Sequence, residues 1–587
     1  MSASRTSHHP APNADGRHRL LSRYSPLALA LACGLAHTGT ALAQTAQPAQ
    51  DGQETERRLR RELERTQDEV EQNSRALNGS KARKHAPFAP PQEAGCVAVT
   101  DVGWSGILPF PWLPGTVAPR GMCLGPEGLK ALQRYLTGQL IERGYVTSTV
   151  QIPEQGLAEG RLDIRVIPGR VGKLLDKATG QPLQARNSFP MREGDVLNLR
   201  DLDQALENLR RTPGQAGATL TLTPGDELGT SDITVDRNRS KDRWHAVLTA
   251  DNGGQDATGQ NQLGLIGIVD APLDRDDLLL MTYSNNMNIR NDEQKSRGLG
   301  LSWSMPVGYW NVSLGANTSY SKQTLDAQEY GKFPYTSKTN SMQLGVDRVV
   351  NRNSNSRGTV KLQLSRRTDS SSVAGEQVAV QRRDITGYGI GYEYLRFIGQ
   401  TSLQANIGLR GSLPGLSARP GYVVGRTSWN GSYRLDTASL DVNAPFAIGG
   451  ERFTYEGNLS GQHAFTPLPG TEYLSINSRY SVRGFDGRYV FTGENGWVSH
   501  NNVVWNSRGK LGNPYVGVDA ARLSGSSLPS QWWSRDQRSQ SFSSVSLGLR
   551  GQVARFGYDV SVGRTLSRPK AVPDGGFNVS LRMTARF

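Results

Sequence analysis

The chain has 587 residues, a formal net charge of +14, 36% hydrophobic residues and a mean hydropathy of −0.51. That is too long for one ordinary domain and too polar for a bundle of membrane helices. A transmembrane barrel stays open, because strands that alternate apolar and polar residues average out in composition. A basic balance would suit nucleic acid, yet no Lys/Arg run with interleaved aromatics stands out, so no nucleic-acid partner is expected.

Arg17, Arg19 and Arg23 precede an apolar run from Leu27 to Leu35, and Ala41-Leu42-Ala43 offers a small-residue cleavage site. Residues 1–43 therefore read as a secretory signal. The run is too short to cross a bilayer of about 30 Å, and no later apolar stretch is long enough. Cys33 falls in the leader, leaving Cys96 and Cys123, which are expected to form one disulfide in an oxidising compartment. Two Cys and the scattered His85, His245, His463 and His500 are too few for a metal site, so no metal or cofactor is expected.

Residues 53–77 predict a helix in which Glu54/Arg58 and Glu56/Arg60 are spaced to pair. Its apolar stripe is thin: Leu59, Leu63 and Val70. Such a helix cannot dock on an ordinary core. It is either solvated or held in polar surroundings such as a water-filled lumen, and composition favours solvent. Residues 78–94, with Lys81, Arg83, Lys84, Pro87, Pro90 and Pro91, read as an extended linker.

Two small α+β units follow, at 95–169 and 170–241. In the first, Cys96–Val102 predicts a strand and Pro109, Pro111 and Pro114 a loop. Gly125–Arg143 has helical periodicity, and strands are expected near Thr147–Ile152 and Leu162–Ile167. The second repeats the order: a strand at Val171–Leu175, a helix at Arg200–Arg211, and strands near Ala218–Thr223 and Asp232–Val235.

From about Asp242 onward the pattern is period-two, with no convincing helix. Leu403, Ala405, Ile407 and Leu409 alternate with Gln404, Asn406 and Gly408; Val545, Leu547 and Leu549 do likewise. A soluble sandwich or an outer-membrane barrel would both give this pattern. Many runs are near the length that a tilted membrane strand needs. The chain also alternates strictly from Phe577 to a terminal Phe587, which favours the barrel. Within this region Tyr480-Ser-Val-Arg-Gly-Phe-Asp-Gly487 reads as a tight loop. Gly484 and Gly487 supply positive φ, and Arg483 must find water or a carboxylate. A solvated loop charge is the plain reading of that Arg. Trp532 and Trp533 are candidates for an interfacial aromatic girdle. No HExxH, G-x-S-x-G or phosphate loop occurs, so no enzyme and no nucleotide use is expected.

Together these features resemble the outer-membrane transporters of two-partner secretion, the TpsB family of haemolysin and filamentous-adhesin secretion proteins. The likeness rests on Gly144-Tyr145 with Pro153-Glu154-Gln155, on Asp251-Asn-Gly-Gly254, on Val482-Arg483-Gly484-Phe485, and on the Cys96/Cys123 pair. It implies a mostly β fold: a 16-stranded antiparallel transmembrane β-barrel over 242–587. A plug helix region (44–77), a linker (78–94) and two periplasmic POTRA domains (95–169 and 170–241) precede it. The plug reading replaces the solvent one for the helix. The likeness also pairs Arg483 with an inner-wall Asp; Gly517-Val-Asp519-Ala-Ala521 supplies Asp519, with Ala521 where the family has Gly. It makes Phe587 a C-terminal assembly signal. The implied function is export of a TpsA-type partner recognised by the POTRA domains. Outer-membrane lipid surrounds the barrel, and barrel assembly machinery and periplasmic chaperones would serve its biogenesis. An insertion factor of the same superfamily or a passive porin are the alternatives.

Overall fold

The computed structural model describes residues 41–75, 87–153, 159–183, 186–240, 242–288, 290–326, 331–419, 431–476, 480–509, 511–525, 539–569 and 575–587. Most of the expected export signal, part of the linker, Glu154, Gln155, Trp532 and Trp533 lie outside them.

Helix α1 spans Ala41–Ser74. It starts twelve residues before the stretch whose charge spacing predicts a helix, and ends within three residues of it. The first small unit contains strands β1 (Val97–Ala98), β2 (Asp101–Ser105) and β3 (Cys123–Leu124), then helix α2 (Pro126–Glu142), β4 (Thr149–Gln151) and β5 (Arg161–Ile167). Its sheet has the order β2-β5-β4, with β2 parallel to β5. The second unit has β6 (Arg170–Asp176), helix α3 (Leu199–Arg210), β7 (Thr219–Pro224) and β8 (Thr230–Asp236), in the order β6-β8-β7. The two sheets share one topology. Each unit closes a small core: Phe110, Leu132, Leu136, Leu140 and Ile164 in the first, Leu174, Leu202, Leu209 and Ile233 in the second. Cys96 and Cys123 are bonded, with Cα atoms 5.3 Å apart, beside the β1–β3 ladder.

The distal end of the expected linker is docked rather than free. Phe88 packs on Tyr135 at 5.5 Å. The Glu93 carboxylate accepts from the backbone N–H groups of Gly125, Glu127 and Gly128, satisfying donors that the start of α2 would otherwise leave open.

The barrel strands are β9 (Trp244–Asp251), β10 (Gln262–Asp270), β11 (Leu278–Asn286), β12 (Lys295–Val307), β13 (Trp310–Asp326), β14 (Lys332–Arg352) and β15 (Ser356–Val373). The two-residue β16 (Glu376–Gln377) leads to β17 (Arg383–Ile398), β18 (Thr401–Ser412), β19 (Arg434–Ile448) and β20 (Glu451–Ala464). A short hairpin, β21 (Leu474–Ile476) with β22 (Phe491–Gly493), interrupts the series before β23 (Asn495–Trp505), β24 (Asn513–Ser524), β25 (Ser539–Val553), β26 (Phe556–Ser567) and β27 (Phe577–Arg586). The sixteen long strands are antiparallel and close through β27 and β9. Several exceed the ten residues expected, up to 21 in β14. Ile390, Ile407 and Leu547 face outward at 50 to 64% exposure, the lipid side of the alternation. Gln404, Ser302 and Glu393, of opposite phase, hydrogen-bond inside.

One rim has two-residue turns at Gly308-Tyr309, Gly399-Gln400 and Gly449-Gly450, and α3 docks on this rim. Asn208 Nδ2 donates to Gly308 O at 2.8 Å, and Tyr309 donates to Asp201. The buried Glu207 accepts from Arg352 at 2.8 Å and Arg357 at 3.1 Å. Removing one partner of a buried pair strands the other, at about 3–5 kcal/mol. Glu207→Ala is therefore expected to loosen α3 from the rim and expose residues 237–243 to protease. An unchanged cleavage rate in that connection would show that the ion pairs do not hold the junction.

Candidate functional site in the barrel lumen

Two elements fold into the barrel: the loop 465–494 between β20 and β23, and helix α1. The loop turns inward through the β21–β22 hairpin and reaches the wall at Val482–Phe485. Arg483 meets Asp519 on β24. Its backbone N donates to Asp519 Oδ2 at 2.9 Å, its Nε to the same oxygen at 2.7 Å, and its Nη2 to Oδ1. Nη1 donates to Asn502 Oδ1 at 2.7 Å, and the guanidinium lies 5.8 Å from the Tyr515 ring centre. Both charges are buried. This is the planar fork that only Arg offers.

The wall is shaped for that contact. A Cβ on Gly517 would fall 2.4 Å from Arg483 Nη2, so the guanidinium needs Gly there. Gly484 has φ +102°, and a Cβ on it would lie 3.0 Å from the β26 backbone at Arg564 and Thr565. A side chain there would meet both strain and collision. Val482 and Phe485 are buried in a cluster with Ile476, Val498, Ala521, Leu523 and Phe542. The Ala521 methyl packs under the loop in that cluster. Phe485 lies 5.7 Å from Phe542, edge-on. Asn578 Nδ2 donates to Phe485 O at 2.6 Å, tying the loop tip to the last strand.

Sequence reasoning missed several members of this site. His500 stands opposite Asp519 in the β23–β24 register. Its Nδ1 lies 3.1 Å from Asp519 Oδ1 and its Nε2 3.2 Å from Tyr480 O, so it links wall to loop. Asn502, Tyr515 and Phe542 also went unread. Each is set by strand register, which a single sequence does not specify.

Helix α1 lies across the lumen. Leu59 and Leu63 are its buried stripe. They rest on β12, where a Cβ on Gly298 would lie 3.2 Å from Leu59 and one on Gly300 2.9 Å from Leu63. Leu63 also joins Ile266, Leu278 and Leu280. The remaining contacts are polar. Gln67 donates to Ser302 at 2.8 Å, and Arg367 to Glu56 at 3.0 Å. Glu56 also holds Arg60 at 2.8 Å, one turn along. The spacing of Glu54 and Arg58 is not used that way. Arg58 forks onto Asp251 at 3.1 and 2.6 Å, and Glu54 takes Arg57 and Arg61. A wall carboxylate with fixed geometry outcompetes a flexible neighbour on the same helix. The helix and loop also touch. Arg57 donates to Tyr473 O at 3.0 Å, Ser475 to Glu54 at 3.1 Å, and Arg61 sits 5.2 Å from the Tyr480 ring centre.

The remaining motif residues lie elsewhere. Gly144, at φ +95°, ends α2, and its carbonyl accepts from Leu199 N at 2.8 Å, joining the two small units. Tyr145 packs edge-on against Phe110 at 4.9 Å. Pro153 follows β4. Phe587 sits at the seam, exchanging backbone hydrogen bonds of 2.8 and 3.1 Å with Ala246. Among the described residues no group of three or more His, Cys, Asp or Glu could hold a metal ion.

Comparison with known proteins gives consistent matches along the chain. Residues 229–551 match the haemolysin secretion/activation protein family ShlB/FhaC/HecB. Residues 111–169 match a ShlB-type POTRA domain and 170–224 a POTRA domain. The chain is 27% identical over 471 residues to the outer membrane transporter CdiB-2 of Burkholderia pseudomallei, covering 80% of this chain and 79% of that one. It is 26% identical over 509 residues to the hemolysin transporter protein ShlB of Serratia marcescens, covering 85% and 88%. The structure of CdiB from Escherichia coli shares the fold, with TM-score 0.80 and 23% identity over 91% of this chain and 98% of that one.

The glycine track gives a direct test of how α1 is seated. Leu63→Ala deletes a buried contact worth about 2–5 kcal/mol, and Gly300→Val crowds the same spot from the wall. Both are expected to displace α1 and raise single-channel conductance in planar bilayers, with the barrel keeping its heat-modifiable gel mobility. Wild-type conductance in both would mean that the stripe does not hold the helix.

Proposed function

The chain belongs to the ShlB/FhaC/HecB family of haemolysin secretion/activation proteins, and from that membership we propose that it exports one large partner protein across the outer membrane. The barrel spans that membrane and residues 95–169 and 170–241 face the periplasm. The partner is a TpsA-type protein: an adhesin, a cytolysin or a contact-dependent toxin. The observation that carries this reading is a closed barrel whose lumen holds a helix seated chiefly by polar contacts and an inward loop anchored at Arg483.

The mechanism follows from what the lumen can do. The partner reaches the periplasmic units unfolded, where main-chain pairing to a strand edge gives affinity with little sequence demand. Helix α1 (overlapping the expected region 44–77) and a threading chain cannot share the lumen, so α1 leaves while residues 78–94 keep it tethered. The loop stays, held by Arg483 and Asp519. The threaded segment meets polar walls that bind it weakly and release it. Folding outside opposes its return, so no nucleotide is consumed. Family members are transporters, and we assign no catalytic residue. Barrel assembly machinery and periplasmic chaperones deliver the barrel, with Phe587 as part of its assembly signal.

Arg483→Ala is expected to abolish or sharply reduce partner secretion while the folded barrel still reaches the outer membrane, because Asp519 is left buried without its fork. Arg483→Lys is expected to fail as well, since an ammonium cannot make the bidentate contact. Secretion at the wild-type level by either variant would remove the anchored loop from the mechanism.

A further inference from the structure

The barrel closes where β9 meets β27, and this seam is short. Five residue pairs are in register, from Asp251 opposite Arg582 to Val247 opposite Arg586. The neighbouring ladders are longer, with nine pairs between β26 and β27 and eight between β9 and β10. Beyond Asp251 the side chain of Asn252 continues the seam. Its Nδ2 donates to Val579 O at 2.7 Å and its Oδ1 accepts from Leu581 N at 2.8 Å. A carboxamide thus stands in for a peptide group where the strand has ended. This gives structural content to the Asp251-Asn252-Gly253-Gly254 stretch.

Helix α1 crosses the lumen side of this seam. Arg58 forks onto Asp251, the last paired residue of β9. Glu62, one turn along the same face, receives a fork from Arg582 of β27 at 3.0 Å for both bonds. Asp251 and Arg582 are register partners across the seam. Four charges therefore alternate in sign around one patch: two on the helix, two on the wall. The Nε of Arg582 is buried with no hydrogen-bond partner, so that guanidinium has a donor in reserve.

We propose that Asp251 and Arg582 form an exchange latch for α1. With the helix seated, each wall charge holds a helix charge. With the helix gone, the two hold each other across the seam. Departure of the helix then strands neither of these two wall charges, and the shortest ladder among the sixteen long strands gains a cross-strand ion pair as the lumen opens. The barrel stays shut laterally while it is open axially. The positions of Asp251, Arg58, Glu62 and Arg582 thus define the address of the helix as the seam itself.

This rests on the reading of α1 as a removable occupant of the lumen, and the experiment separates the two claims. Deleting residues 53–75 tests occupancy alone: conductance is expected to rise several-fold, and no rise would sink the occupancy reading. The helix swap Arg58→Glu with Glu62→Arg leaves the barrel untouched and is expected to raise conductance toward the deletion level. The wall swap Asp251→Arg with Arg582→Asp is expected to do the same, because it keeps the wall pair and repels the helix. Combining all four substitutions is expected to restore wild-type conductance. A combination that conducts like the helix swap alone would overturn the latch, even if the deletion shows a plug. In the deletion background, Asp251→Asn and Arg582→Gln are each expected to lower the barrel's heat-modifiable transition, and the double variant to lower it no further. Two additive effects, or none, would overturn the exchange. These neutralisations and the helix swap decide the matter even if the wall swap fails to assemble.

Discussion

A barrel wall of alternating strands that gives its apolar side chains to lipid must give its polar ones to the lumen. Whatever is held inside is then held chiefly by ion pairs and hydrogen bonds, because the barrel has no general apolar core to offer. The two inward elements show the consequence. Helix α1 has one small apolar footing, Leu59 and Leu63 on the Gly298/Gly300 track, and is otherwise fixed by Arg58, Glu62, Glu56 and Gln67. The loop tip has a compact apolar cluster around Phe485 and a buried fork at Arg483. The loop is the more firmly anchored of the two, with backbone, side-chain and aromatic contacts to β23, β24, β26 and β27. The helix is held by charges that the wall or a passing chain can exchange.

The lumen and the periplasmic units share one chain of contacts. Glu207 on α3 accepts from Arg357, and Arg357 also donates to Glu393 on β17. Gln404 donates to Glu393 at 3.4 Å and accepts from Arg75, just beyond α1, at 2.8 Å. A shift of α3 on the rim and a shift of α1 in the lumen thus act on the same ion pairs. Side-chain contacts run unbroken from α3 on the rim to the end of α1 in the lumen.

Much of this was legible in the residues because local pattern fixes it. Period-two alternation marks the barrel strands, and 3.6-residue periodicity with Gly144 marks α2. The order strand-helix-strand-strand marks the two small units. The loop tip was legible as a tight turn because Gly484 and Gly487 are free to take the positive φ that other residues rarely adopt, while the carboxylate partner of its Arg came from the family likeness and not from the residues alone. What the residues alone could not give is pairing across long separations. Arg58 has a suitable partner four residues away and takes one 193 residues away instead. His500 looks like a stray imidazole until the β23–β24 register sets it opposite Asp519. Phe88 and Glu93 look like linker until they cover Tyr135 and the start of α2. Composition alone placed α1 in solvent; the docking track is two glycines on β12, which have no side chain to announce it.

The central claim is that the partner travels through the lumen that α1 occupies. The most direct measurement tethers the helix there reversibly. Gln67 and Ser302 are hydrogen-bonded side chains of helix and wall, so cysteines at both positions can be joined by mild oxidation. The account predicts that secretion stops in the oxidised protein and resumes on adding reductant, with wild type, which keeps Cys96–Cys123, as the control for reduction itself. Normal secretion by the fully cross-linked protein would contradict the account.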